Sequence, residues 1–215
     1  MSFLATLAQR VDPASAALIV LDMVKSEPDS PPSMEIPRLR NPLGNLVRLV
    51  RSAHRVGFPV IYVKNSYSDW VRLDNWKEAW SRRRDYNPRR YLEGVELHDG
   101  LEVGEGDAVM IKRYYSAFAH GPLDLMLRCK GIKSVLLTGG AVLGAVESAA
   151  KECYVRGYYL VLVSDCVVPD SGPDHEIVMR HGSSKLGAIV ATSNEIIKHW
   201  DSLVPRKKEG KKAGK

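Results

Sequence analysis

The chain has 215 residues, of which 45% are hydrophobic and 26% charged, and a formal net charge of +6. Those proportions suit one soluble α/β domain, with no apolar run of membrane-spanning length and no basic-then-apolar leader, so a cytoplasmic protein is expected. Residues 206–215 hold six positive charges and one negative, which leaves +1 for residues 1–205. The basic balance therefore belongs to a tail and not to a nucleic-acid- or membrane-binding face.

In chain order, apolar runs rich in β-branched residues occupy 16–22, 59–64, 108–112, 134–138 and 159–164, with a weaker run at 188–192. Such short continuous runs predict strands buried on both faces of a parallel sheet. Helical stripes lie between them. Leu43, Leu46, Val47, Leu49 and Val50 form one, ended near Gly57. Leu123, Leu125, Met126 and Leu127 form a second, ended at Gly131. Val146, Ala149, Ala150, Cys153 and Tyr154 form a third, ended at Gly157. Glycine is a common helix stop. Glu195, Ile196, Ile197 and Trp200 predict a last helix, with Ser193 or Asn194 as its N-cap. The expected architecture is a three-layer α/β/α sandwich around a mostly parallel sheet of about six strands. It forms one domain over 1–205, followed by a flexible tail over 206–215.

Cys129, Cys153 and Cys166 show no C-x-x-C spacing, which argues against zinc and against a disulfide framework. All three are expected to be small buried apolar residues. Two stretches break the alternation. Residues 26–42 hold five prolines, and residues 65–107 carry Trp70, Trp76, Trp80 and Tyr86 among arginines that include Arg82, Arg83, Arg84, Arg89 and Arg90. Long loops at the C-terminal edge of a parallel sheet usually cover the site. The aromatic–arginine composition is that of an interface core, so a homo-oligomer is expected.

Three residues carry the chemistry. Asp22 ends the run Ala16–Leu21, and Lys112 ends the run Ala108–Ile111. Ala145 sits in the small-residue turn Thr138-Gly139-Gly140-Ala141-Val142-Leu143-Gly144-Ala145-Val146. An acid, a cation and a turn at the ends of parallel strands form a catalytic set, with a methyl group where a nucleophile would stand.

With Ile111-Lys112-Arg113-Tyr114-Tyr115-Ser116-Ala117-Phe118, Pro122 through Leu127, and Ser164-Asp165-Cys166, the chain resembles the isochorismatase-like cysteine hydrolases. That superfamily includes nicotinamidases and N-carbamoylsarcosine amidase. The order of the motifs carries the resemblance, with 90 residues from Asp22 to Lys112 and 33 from Lys112 to Ala145. It implies an amidohydrolase acting on a small amide, ureido or N-carbamoyl substrate. Asp22 and Lys112 would belong to an Asp–Lys–Cys triad, with Ala145 in the cysteine position. The N–H groups of Ala141 and Ala145 would form the oxyanion hole, with a cis peptide entering position 141. Dimers and tetramers are implied as well.

Asn65, Tyr67, Trp70, Tyr115, Phe118 and His120 are the candidate substrate-binding residues, with ordinary packing or loop roles as the competing reading. The resemblance to nicotinamidases implies a metal site of Asp and several His after the second strand, but the corresponding segment Asn65-Ser66-Tyr67-Ser68-Asp69-Trp70 has no histidine, so no metal site and no cofactor are expected. Three readings of Ala145 stay open. It is a cysteine-to-alanine change that leaves the chain inactive. It is the small residue of a cysteine-free isochorismatase, in which Asp22 protonates a vinyl ether. Or it marks an inactive relative that binds or scaffolds.

Overall fold

The computed structural model describes residues 3–25, 37–65 and 96–204, together with Asn75, Glu78 and Arg82. The continuous apolar runs become strands because both of their faces find a helical layer. β1 (Ala16–Leu21), β2 (Val60–Asn65), β3 (Ala108–Lys112), β4 (Ser134–Gly139), β5 (Tyr159–Val167) and β6 (Ile189–Ala191) pair in the order β3-β2-β1-β4-β5-β6. Every pairing is parallel.

Successive residues of a strand point to opposite faces, and the core divides accordingly. Ala17, Ile19, Leu21, Val135, Leu137, Leu160 and Leu162 pack with α3 (Leu123–Cys129), α4 (Glu147–Val155) and α5 (Gly172–Lys185). Leu18, Val20, Tyr62, Leu136, Val161 and Val163 pack on the other face, with α2 (Pro37–Arg55) and α6 (Ser193–Leu203). A short α1 (Leu7–Arg10) precedes β1. On the second face Trp200 is fully buried, lies 4.6 Å from the Phe58 ring and donates its indole N–H to Val11 O at 2.8 Å. The α/β/α sandwich expected from the sequence is the observed fold.

Three local expectations change. The N-cap of α6 is Thr192, whose side chain accepts from the Glu195 N–H while the Glu195 carboxylate accepts from the Thr192 N–H. Ser193 cannot take that part because its hydroxyl donates to Asp165 Oδ2 at 2.7 Å. Cys153 and Cys166 are buried, but Cys129 is exposed. On α3 Leu123 and Leu127 are buried in the core with Met126 partly buried against it, and Cys129 is exposed with Leu125. Helix α5 has no counterpart among the predicted stripes.

The chain runs outward from β1 in one direction and from β4 in the other, so the strand order reverses between them. Ligand sites of open parallel sheets lie outside the strand ends at such a reversal. No helix among the described residues is long and apolar enough to cross a membrane. The basic tail, Tyr67, Trp70, Trp76, Trp80 and Tyr86 lie outside the described residues. Of the arginine cluster, Arg82 is described; it is exposed and ion-pairs with Glu78.

Candidate active site at the β1/β4 reversal

Three neighbouring strands deliver an acid, an amide and a cation. Asp22 follows β1 in a left-handed conformation (φ 51°), with its N–H donating to Val63 O at 2.9 Å. Aspartate tolerates that conformation better than most residues, and the main chain is thereby turned out of the sheet at this point. Asn65 and Lys112 are register partners at the ends of β2 and β3.

The Lys112 side chain is fully buried, and its Nζ lies 2.7 Å from Asp22 Oδ2. It also donates to Asn65 Oδ1 at 3.1 Å and to Tyr114 O at 3.0 Å. An ammonium has three donors, so the lysine is held from three sides as a fixed positive charge. Asn65 Nδ2 lies 3.4 Å from Asp22 Oδ2, which closes a ring of contacts between acid, amide and cation. Burial pushes the Asp22 carboxyl up from the ordinary aspartate range to about 6, against the opposing pull of Lys112. Its other oxygen, Oδ1, is buried and has no hydrogen-bond partner among the described residues. A buried carboxylate oxygen without a donor is costly, and a group tuned toward neutrality in a cleft is a candidate acid or base.

The turn after β4 starts beside the end of β1, where the Gly140 N–H donates to Leu21 O at 2.9 Å. Gly139 (φ 94°) is the register partner of Leu21, and a Cβ there would stand 2.0 Å from Leu21 O. Only glycine allows β4 to end so close to β1. The Gly140–Ala141 peptide is cis. From Val142 to Val146 the chain forms a π-helical turn that runs into α4. Ala145 is 2% exposed and packs in the core cluster of its face.

Of the two amides expected to bind an oxyanion, the Ala141 N–H has no partner among the described residues. The Ala145 N–H donates to Ala141 O at 3.1 Å.

The remaining candidates separate by position. Tyr115 is 54% exposed, and its ring edge lies 3.3 Å from where a Cβ on Gly144 would stand. It therefore borders the turn. Phe118 is buried in the core, with the Arg156 guanidinium over its ring and Tyr158 beside it. His120 is exposed in a left-handed conformation, 5.1 Å from the Tyr114 ring. Among the described residues no group of three His, Cys, Asp or Glu side chains could hold a metal ion. The sequence reading missed the bridging part of Asn65, which is visible only once the β2–β3 register is known. It also missed the segment 168–170, which packs against the turn.

The isochorismatase domain model matches residues 16–195. A ureidoacrylate amidohydrolase, RutB, of Methylorubrum extorquens is 32% identical over 134 residues, covering 56% of this chain and 54% of that protein. The chain thus spans about half the length of the first curated relatives it matches. Among solved structures, a cysteine hydrolase from Pseudomonas syringae superposes with a TM-score of 0.78 at 19% identity, over 91% of this chain and 96% of that one. N-carbamoylsarcosine amidase from Thermoplasma acidophilum superposes with a TM-score of 0.69 at 27% identity, over 84% and 97%. The chain belongs to the isochorismatase domain family.

Proposed function

We propose that this site is built for hydrolysis of a small amide, ureido or N-carbamoyl bond, and that Ala145 removes the nucleophile from it. The observation that carries the reading is the buried Asp22–Lys112 pair at 2.7 Å, at the edge of the sheet where the strand order reverses; the turn after β4 has an Ala141 N–H with no partner among the described residues. The relatives named for ureidoacrylate and N-carbamoylsarcosine support the substrate class.

With a thiol at position 145, Asp22 takes its proton and the thiolate attacks the carbonyl carbon. The Ala141 N–H and neighbouring amides of the turn stabilise the oxyanion. Such donors are each worth about 3 kcal/mol of transition-state stabilisation. Asp22 then returns the proton to the leaving nitrogen, and water hydrolyses the thioester. Lys112 holds the carboxylate in place and supplies a fixed positive charge. Asn65, Tyr115 and His120 are the described residues proposed to contact substrate.

A second reading is favoured by one observation, the raised titration of Asp22 to about 6 together with its unpartnered Oδ1. A carboxyl so tuned can donate a proton to a vinyl ether, with water completing the hydrolysis, and no nucleophile is then needed at 145.

The test is Ala145→Cys. Its introduced thiol should react with iodoacetamide faster than Cys129, the exposed cysteine, and the variant should hydrolyse N-carbamoyl or ureido compounds. An introduced thiol no more reactive than Cys129, with no amide turnover, refutes the amidohydrolase reading. Turnover of isochorismate by the unaltered chain supports the second. A chain inactive in both assays fits the third reading of Ala145, an inactive relative that binds or scaffolds.

A further inference from the structure

The turn from Gly140 to Val146 carries seven backbone N–H groups, and their partners sort them. Gly140 donates to Leu21 O at 2.9 Å, and Val142 donates to Val168 O at 3.2 Å. Ala145 and Val146 both donate to Ala141 O, at 3.1 and 3.3 Å. Leu143 alone donates to a side chain, Asp170 Oδ2, at 3.1 Å. The N–H groups of Ala141 and Gly144 have no partner among the described residues.

The Asp170 contact does not stand alone. Val168 N–H donates to Gly139 O at 2.8 Å, and the Val168 side chain lies 2.9 Å from where a Cβ on Gly140 would stand. Residues 168–170 therefore bracket the turn along its outer edge, with two backbone bonds, one close packing contact and one carboxylate. Asp170 itself is exposed, immediately before Ser171, the N-cap of α5. A hydrogen bond from a backbone N–H to an ionised carboxylate is stronger than a neutral one. A free Leu143 N–H would compete with its neighbours for any anionic oxygen brought to the turn.

We propose that Asp170 is a positioning residue for the anion-binding turn. It takes up the Leu143 N–H and so fixes the turn with the Ala141 and Gly144 N–H groups left to receive the carbonyl oxygen of the substrate. The catalytic meaning rests on the amidohydrolase reading; the hydrogen bond and its effect on the turn do not.

The experiment compares Asp170→Ala with Asp170→Asn in the full chain carrying Ala145→Cys. The two variants have the same charge, but only asparagine keeps an acceptor for the Leu143 N–H, so the comparison isolates the hydrogen bond. Two quantities are read. Amide exchange at Leu143, followed by NMR, should be about tenfold faster in Asp170→Ala than in Asp170→Asn. Iodoacetamide labelling of the introduced thiol at fixed pH should be about fivefold slower in Asp170→Ala than in Asp170→Asn, because the turn no longer holds the thiolate. Equal exchange at Leu143 in the two variants overturns the proposal. Faster exchange with equal labelling also overturns it, since Asp170 then only stabilises a loop. Absence of amide turnover by Ala145→Cys itself refutes the amidohydrolase reading and leaves the labelling comparison to decide the part played by Asp170.

Discussion

Two aspartates at the C-terminal edge of the sheet are handled in opposite ways. Asp165 lies in β5, where the β4–β5 register shifts between Leu137 and Gly139. Both of its carboxylate oxygens are satisfied at the start of α6, Oδ1 by the Ser193 N–H and Oδ2 by the Ser193 hydroxyl, each at 2.7 Å. Asp22 follows β1 with one oxygen on Lys112 and Asn65 and the other without a partner among the described residues. The first carboxylate is fully engaged in joining a strand to a helix. The second is held by one side only, and its free oxygen and raised titration leave it able to exchange a proton. Satisfied polar groups stabilise a fold, whereas a buried one left open points to chemistry.

The largest expected effect comes from removing the cation that holds the open carboxylate. Lys112→Met leaves Asp22 buried without its positive partner and should destabilise the protein by about 3–5 kcal/mol at pH 8. The cost should shrink at pH 5, where Asp22 protonates and no buried charge remains uncompensated. Urea unfolding at the two pH values measures both. An equal cost at pH 5 and pH 8 would mean that the lysine serves packing and not the carboxylate.

Asp165→Ala should cost less, about 1–3 kcal/mol, because it strands the N–H and hydroxyl of the fully buried Ser193 without stranding a charge. In the Ala145→Cys chain it should leave labelling of the introduced thiol unchanged. If it slows that labelling as much as Asp22→Asn does, the division between a structural and a chemical aspartate fails.

Much of this arrangement is legible in the sequence, for identifiable reasons. Most of the strands are continuous apolar runs, and such runs can be read without knowing their partners. Asp22 and Lys112 each close an apolar run, and parallel strands bring those ends to one edge of the sheet, where the two side chains pair. What stayed hidden depends on contacts across the fold. Helix α5 escaped because Gly172, Pro173 and Gly182 dilute its pattern. Gly182 lies close against β5, where a Cβ would stand 2.4 Å from the movable end of Leu162. Asn65 joins the acid–cation pair through strand register. Asp170 reaches a backbone amide 27 residues earlier, a contact with no local signature. Phe118 sits in the same motif as Lys112, yet its ring faces the core.

The smallest expected effect is the most discriminating, because its sign separates the two hydrolytic readings. Asp22 titrates at about 6, raised from 3.8 by burial. A carboxyl whose folded value lies above its unfolded one contributes stability that is present below the unfolded value and lost as pH rises through the folded one. Any loss assigned to Asp22 should therefore fall between pH 3.8 and about 6 and be complete above it. Turnover should follow the same group. In Ala145→Cys the carboxylate must be free to accept the thiol proton, so kcat/KM for an amide should rise about tenfold per pH unit below pH 6 and level above it. In the vinyl-ether reading the acid form is needed, and kcat/KM of the unaltered chain should instead fall about tenfold per pH unit above pH 6. Asp22→Asn should abolish the limb in either case. A profile that is flat between pH 5 and pH 7 would remove Asp22 from both mechanisms and leave its unpartnered oxygen without a chemical role.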